Sequence, residues 1–573
     1  MFTCSAHPKK NPFGREEVFR FGFLTAKRLG LAVALLAAIA PASAWAQTVY
    51  TWYGSVSSDF SNSANWKNNQ VAPTGTNGGN PWNARITVGD GSNTPVFPLY
   101  YTSAQGYTLY AASGGGTSDR SLFIATGTNG AMEIQGGTFE SRAVGADGMA
   151  NAATGSLTIN GGAYINTEGT GARTFLVIHG GGGSGTLTIQ SGTFAVHTLK
   201  FGDSSTSTGT GYVYLNGGLL SVGTIVDSGN AVSYVYLNGG TLQARAETTT
   251  FLNNLDNVYV STGGAIIDTQ SYSVTIPVVL KHDPAGSSPD GGLTKKGAGG
   301  LILSAANTYT GTTTVETGIL KISHSQALGA TDGGTVVNQG AQLALSGGIT
   351  VTGEALTLYG QGPGNVHGLF AAGGGTNTWD GPITLAAANA RIGAGSGQTL
   401  VVSGPISDGG SGYNLVIRNT GGETILKGAS TYTGATRVFV GTVKIDGGDN
   451  RLPTGSVLQI GNTSNVDWAT FDLNGYNQQV AGLDSEGTTM TMIVTNSSAT
   501  ASTLTIQNTA DYSYSGLITG NLSLVKKGTA TQTLSGSSAN TYTGTTTVQD
   551  GRLHLSKSSS VNAIGGDLVI SGG

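Results

Sequence analysis

One nine-residue string, NTYTGTTTV, occupies residues 307–315 and returns letter for letter at 540–548, with a looser copy, STYTGATRV, at 430–438. Repetition at this fidelity in a polar, threonine-rich stretch constrains the fold more than any other feature of the chain. It means one supersecondary unit copied, because a unit that cannot bury its own apolar face is stabilised by stacking on its neighbours. A second family of repeats fills the first half: AMEIQGGTFES (131–141), GSLTINGGAYINT (155–167), GTLTIQSGTFAVHT (185–198), GYVYLNGGLLSVGT (211–224), SYVYLNGGTLQARA (233–246) and NVYVSTGGAIIDT (257–269). Each is an alternating strand, a glycine corner and a further alternating strand.

Two architectures produce such a pattern. Asn-Gly between alternating strands favours a type I′ hairpin turn, and a row of hairpins would give a sandwich, barrel or propeller. A right-handed parallel β-helix instead places three short strands in each coil. The second corner glycine falls at Gly137, Gly162, Gly192, Gly218, Gly240 and Gly264, steps of 25, 30, 26, 22 and 24 residues, which suits one coil per repeat. Asn160, Asn216 and Asn238 recur at the same corner. Asparagine tolerates the left-handed backbone region and can build a hydrogen-bonded ladder along a stack. The right-handed parallel β-helix, all-β, is the expected fold.

Composition agrees with short strands and tight turns. Glycine supplies 93 of 573 residues and charged residues only 10%, while 38% are hydrophobic, so disorder does not fit. The first 46 residues read as a secretory signal. Six basic residues precede or border the apolar run LGLAVALLAAIA, and small residues at Ala44 and Ala46 set the cleavage site. Its removal takes six basic and two acidic residues and moves the formal charge from −4 to −8. That thin acidic balance argues against nucleic acid and anionic membranes as partners. The single cysteine, Cys4, lies in the leader, so strand stacking must do what disulfides do in other exported proteins.

In the second half three longer units align: LTKKGAGGLILSAANTYTGTTTVETGILKIS (293–323), LVIRNTGGETILKGASTYTGATRVFVGTVKID (415–446) and LVKKGTATQTLSGSSANTYTGTTTVQDGRLHLS (524–556). Their structural positions are Tyr309, Gly311, Val315 and Gly318, then Tyr432, Gly434, Val438 and Gly441, then Tyr542, Gly544, Val548 and Gly551. The glycines read as corners, Val315 and Val548 as inward-facing, and Tyr309 and Tyr542 as surface residues beside a loop. These units resemble the autotransporter-associated β-strand repeat proteins, closely from Lys296 to Leu320 and from Lys527 to Leu553. The middle copy departs at Ser430 and Arg437. The resemblance implies an exported β-helical stalk in large bacterial surface proteins and implies no catalysis. It also implies a membrane β-barrel translocator, which is expected as a separate or missing part because the strand pattern continues to GGDLVISGG.

The opening TVYTWYGSVSSDFSNSANWKNNQVAP (48–73) is aromatic-rich, and Trp52, Trp66 and Trp82 read as a cap over the first coil or, alternatively, as a carbohydrate-stacking platform. Catalytic patterns are weak. Glycoside hydrolysis needs two carboxyl groups about 5–10 Å apart, and no two acidic residues stand side by side in the mature sequence. The densest ionisable patch, LKHDPAGSSPD (280–290), reads as a linker. The histidines at 179, 197, 282, 324, 367 and 554 lack metal spacing, so no metal or cofactor is expected.

The expected organisation is a signal peptide (1–46), an N-terminal cap with first coils (47–130), coils of the strand-Gly-Gly-strand kind (131–290) and a β-helix with the three longer repeats (291–573). At roughly 25 residues per coil the mature chain should make about 20 coils. The expected function is an exported, non-catalytic surface stalk or passenger, with adhesion to carbohydrate or to a host or neighbouring cell as its role. The alternative is a carbohydrate-active β-helix enzyme, a polysaccharide lyase or glycosidase.

Overall fold

A computed structural model describes residues 129–572 apart from 135–137, 143–146, 150–152, 167–172, 179–181, 204, 464–467 and 488–490; before residue 129 it describes strands alone. The leader, save for the strand Val33–Leu35, and Trp52, Trp66 and Trp82 lie outside the described residues. The chain is all-β, its parallel strands stacked as a β-solenoid of about 18 turns. The strand Val33–Leu35 pairs antiparallel with Thr48–Thr51 and Ala84–Val88, whereas the pairings described from residue 99 onward are parallel. Hairpin architectures are thereby excluded, since a hairpin joins antiparallel neighbours.

Two compact units divide the chain: residues 1–294 with 307–311, and residues 295–306 with 312–573. In the first unit each coil carries up to three strands, as in Thr210–Leu215, Leu219–Val222 and Thr224–Asp227. Alternation sends every second side chain inward, and parallel register sets like upon like. Leu157, Leu187, Val213, Val235, Val258 and Leu280 follow one another through successive coils, and none is exposed to solvent. Burying each such side chain stabilises the stack by about 1.5–3 kcal/mol. Around the next corner Tyr164 and Phe194 stack 4.8 Å apart, and Phe175 meets both rings edge-on.

The second unit repeats this design. Leu320, Leu343, Leu369, Ile392, Ile417, Val438 and Ile460 form one fully buried column in which each residue is the register partner of the next. Two expectations change. The segment 280–290 is part of the stack: Leu280–His282 is a strand paired in register with Val258–Val260. Asp283 and Asp290 are buried there, and a linker would leave them in water. The tyrosines of the long repeat are interior, not superficial: Tyr309, Tyr432 and Tyr542 are at most 1% exposed.

Candidate functional site

The repeat strings are occupied with holding coils together. The Tyr432 hydroxyl lies 2.5 Å from Thr436 Oγ1 in the core, and Tyr542 makes the same contact with Thr546 four residues on. A tyrosine can therefore be interior in a threonine-rich string, because the following turn supplies its polar partner. Asn307 and Asn540 each accept a hydrogen bond from the backbone N–H of another coil, Leu280 and Ile518 respectively, at 2.9 Å. Gly311, Gly434 and Gly544 are pressed so closely against a neighbouring coil that a Cβ would come within 2.3–2.4 Å of its atoms. Gly318, Gly441 and Gly551 turn the corner with φ between +67° and +82°, the left-handed region that favours glycine. Val315 and Val438 are fully buried, whereas Val548 is partly exposed.

Lysine has an interior duty in the first and third copies. The Lys295 ammonium donates to the carbonyls of Lys296, Gly297 and Thr317 at 2.6–3.0 Å, and Lys526 donates to those of Lys527, Gly528 and Asp550 at 2.8–3.2 Å. Both residues are fully buried. Three donors meeting three carbonyls make such burial tolerable. Burial lowers the affinity of Lys526 for its proton. In the middle copy Ile417 stands at this place in the alignment, and Asn419 serves the corner instead, donating to Thr442 O and accepting from Ala394 N and Thr424 Oγ1.

The ionisable patch is structural as well. Asp290 accepts from Thr310 N, Thr310 Oγ1, Gly292 N and Gly311 N and contacts His282 Nδ1 at 2.9 Å. Burial pushes its carboxyl up, but those hydrogen bonds outweigh it and hold the group below the usual carboxylate range. Asp408 does similar work for Thr433 in the middle copy. Asp227 and Asp256 meet at Ser233: Asp256 accepts from Ser233 N and Oγ at 2.9 Å, while Asp227 accepts from Gly229 N. Both acids thus serve as loop caps. Among the described residues no group of three or more His, Cys, Asp or Glu is placed to hold a metal ion.

Among the described residues, one flank of the first unit presents a cluster of outward aromatic rings. Alternation along Thr210–Leu215, Val232–Leu237 and Asn257–Val260 turns Tyr212, Tyr214, Tyr234, Tyr236 and Tyr259 away from the core. Tyr212 stacks on Tyr234 with centroids 5.1 Å apart, and Tyr214 on Tyr236 at 4.7 Å. Within a strand Tyr212 and Tyr214 are nearly parallel, 4° apart with centroids separated by 6.1 Å. Burial against neighbouring rings, then the adjoining Tyr214, pushes the Tyr236 phenol up to about 12. The two coils on the other side of Tyr212 and Tyr214 carry short hydroxyl residues in the same register: Thr186 and Thr188, then Ser156 and Thr158. Beyond them stands Glu133, which accepts from Asn160 Nδ2.

The expected asparagine ladder borders this flank. Asn238 donates to Asn216 Oδ1 at 3.1 Å and accepts from Gly263 N at 2.8 Å, while Ser191 meets Asn160 Oδ1 at 3.4 Å where asparagine is interrupted. Sequence reasoning found the ladder and passed over the tyrosines. Their signal was present in the Tyr-x-Tyr of YVYLNGG, recurring 22 residues apart and reduced to one tyrosine in NVYV.

Comparison with known proteins adds two findings. The Passenger-associated-transport-repeat family matches residues 293–322, 421–445 and 524–555, the same three units. The chain is similar to the Adhesin BmaC autotransporter of Brucella suis biovar 1 (strain 1330), with 30% identity over 480 residues, 80% of the chain. It spans 12% of the length of that relative. No solved structure matches.

Proposed function

We propose that the chain is a segment of an autotransporter-type passenger, exported and displayed at the bacterial surface, and that within it this chain is a non-catalytic stalk with an adhesive flank. The relative is named an adhesin, and the observation that carries the reading to this chain is the division of labour between its residues. The repeat tyrosines, valines, lysines and glycines are spent inside the coils, as the Tyr432–Thr436 and Lys526–carbonyl contacts illustrate. The outward Tyr212–Tyr259 cluster has no such duty. Amphipathic rings of this kind are enriched where proteins meet partners.

The twelve repeat positions, Tyr309 to Gly551, act in this reading as coil locks and not as ligand contacts. The partner is a host or neighbouring cell surface. The test is display of the chain on a non-adherent bacterium with a heterologous translocator. Adherence to epithelial cells should exceed that of the translocator alone by an order of magnitude. A chain that is displayed and resists protease, yet adheres no better than the control, overturns the proposal.

A further inference from the structure

We propose that the flank of the first unit is a glycan-binding terrace, in which Tyr212 and Tyr214 form an aromatic wall and Thr186, Thr188, Ser156 and Thr158 a hydroxyl floor. The inference rests on the adhesive reading above and names the chemistry of its ligand. Three observations carry it. First, side-chain height changes abruptly between register partners. Tyr212 follows Thr186 and Tyr214 follows Thr188 in adjacent coils, so two long rings stand beside two short side chains, one inter-strand spacing of about 4.8 Å away. One face of each ring is covered by Tyr234 or Tyr236. The opposite face looks over the threonine coil.

Second, the two wall rings project from alternate positions of one strand and lie within 4° of parallel with centroids 6.1 Å apart. Sugar rings present an apolar C–H face that packs on such rings, while their hydroxyls radiate from the edge. Third, the floor supplies groups for those hydroxyls. Ser156, Thr158, Thr186 and Thr188 are partly exposed, and their hydroxyls hydrogen-bond to no other described residue. Each is donor and acceptor at once. Two coils of floor run from the wall to Glu133, on the order of 10 Å, room for about two sugar units.

Charge selects the ligand further. Wall and floor carry no charged side chain. Glu133 closes the far end and is engaged by Asn160. Lys281 lies beyond Tyr259 and is held by Asp256 O and Asn257 Oδ1. A neutral glycan fits, whereas a sulfated or uronic-acid polymer would find no cation on the terrace.

The test uses the exported chain, residues 47–573, titrated with neutral oligosaccharides (chito-, cello- and N-acetyllactosamine oligomers) and with heparin and polygalacturonate as acidic probes. Binding of a neutral oligomer is expected, with at least a tenfold loss in Tyr212→Ala/Tyr214→Ala and in the isosteric Thr186→Val/Thr188→Val, which keeps the packing. Tyr212→Phe/Tyr214→Phe should retain most of it, as should Tyr359→Ala, an exposed ring of the second unit. The variants are then displayed and scored for adherence to untreated and periodate-oxidised cells. If no neutral oligomer binds, if the threonine variant binds as well as the native chain, or if adherence survives periodate, the glycan assignment is overturned. In the last case the adhesive reading stands, whereas loss of adherence in the native chain itself would remove the reading beneath it.

Discussion

Tyr432 shows how much one hydroxyl can decide. Its ring is 1% exposed, and its oxygen is 2.5 Å from Thr436 Oγ1, which lies 3.3 Å from Ser456 Oγ. Tyr432→Phe keeps the packing and leaves Thr436 its other partner, so it should cost about 1 kcal/mol. Tyr432→Ala opens a ring-sized cavity and should cost about 3–5 kcal/mol. Chemical denaturation of the two variants measures the ratio; equal small losses would place the ring at the surface, where the sequence reading puts its counterparts Tyr309 and Tyr542. Glu354 carries a different signature. It is 2% exposed, its carboxylate accepts from Thr335 Oγ1 at 2.7 Å, and burial pushes its carboxyl up to about 7 against an ordinary value of 4.5. A carboxyl whose folded value is raised stabilises below its unfolded value and loses that contribution as pH rises through the folded one. Stability of this coil should therefore fall between pH 4.5 and 7 by up to about 3 kcal/mol. Glu354→Gln should flatten that slope and be the more stable form at pH 8, as thermal melts across the range would record. A slope unchanged in the variant would assign the pH dependence elsewhere.

At the scale of the element, the corner is the unit that the sequence half revealed. Period and alternation were legible, because inward side chains must recur every second residue in a strand and once per coil in a stack. The left-handed glycines Gly318, Gly441 and Gly551 were legible for the same reason: no other residue turns there cheaply. The lysine clamp was not, because a lysine in a polar string reads as solvated until three carbonyls are seen around it. The same holds for Asp290, whose partners come from the backbone twenty residues on. The candidate face was illegible for a subtler reason. Tyr212 and Thr186 are ordinary outward strand residues, and only the register that sets one beside the other makes a step. Lys526→Met tests the clamp. It retains the length and apolar body but takes the ammonium from the carbonyls of Lys527, Gly528 and Asp550, of which that of Lys527 keeps Asn508 N. A loss of about 3 kcal/mol is expected. The equivalent corner in the middle copy, already built around Ile417 and Asn419, should tolerate Ile417→Met with under about 1.5 kcal/mol. Similar losses at both sites would show that the ammonium contributes nothing beyond packing.

For the molecule as a whole, the governing fact is that each coil touches chiefly the coils beside it. Stability in such an array is a sum of coil terms and nearest-neighbour interfaces, so damage is graded by distance along the stack. The column Leu320, Leu343, Leu369, Ile392, Ile417, Val438 and Ile460 lies within one compact unit and gives a ruler for this. Ile417 is fully buried between its register partners Ile392 and Val438. Ile417→Asp places a carboxylate there with no cation opposite, a cost of several kcal/mol. Hydrogen exchange followed along the chain should then lose protection at the strands Ala390–Ala394, Leu415–Leu426 and Thr436–Ile445 first. The strands Ala341–Leu345 and Gly318–Ile322, three and four coils away, should keep most of theirs. Val315→Asp near the other end of the ruler should reverse the gradient. A globular domain with one shared core would answer differently, because its opening is cooperative and either substitution would raise exchange everywhere by the same factor. The graded answer matters for the terrace proposed above, because a locally opened coil need not carry distant coils with it, and those of Tyr212 and Tyr214 would keep their register while others fray.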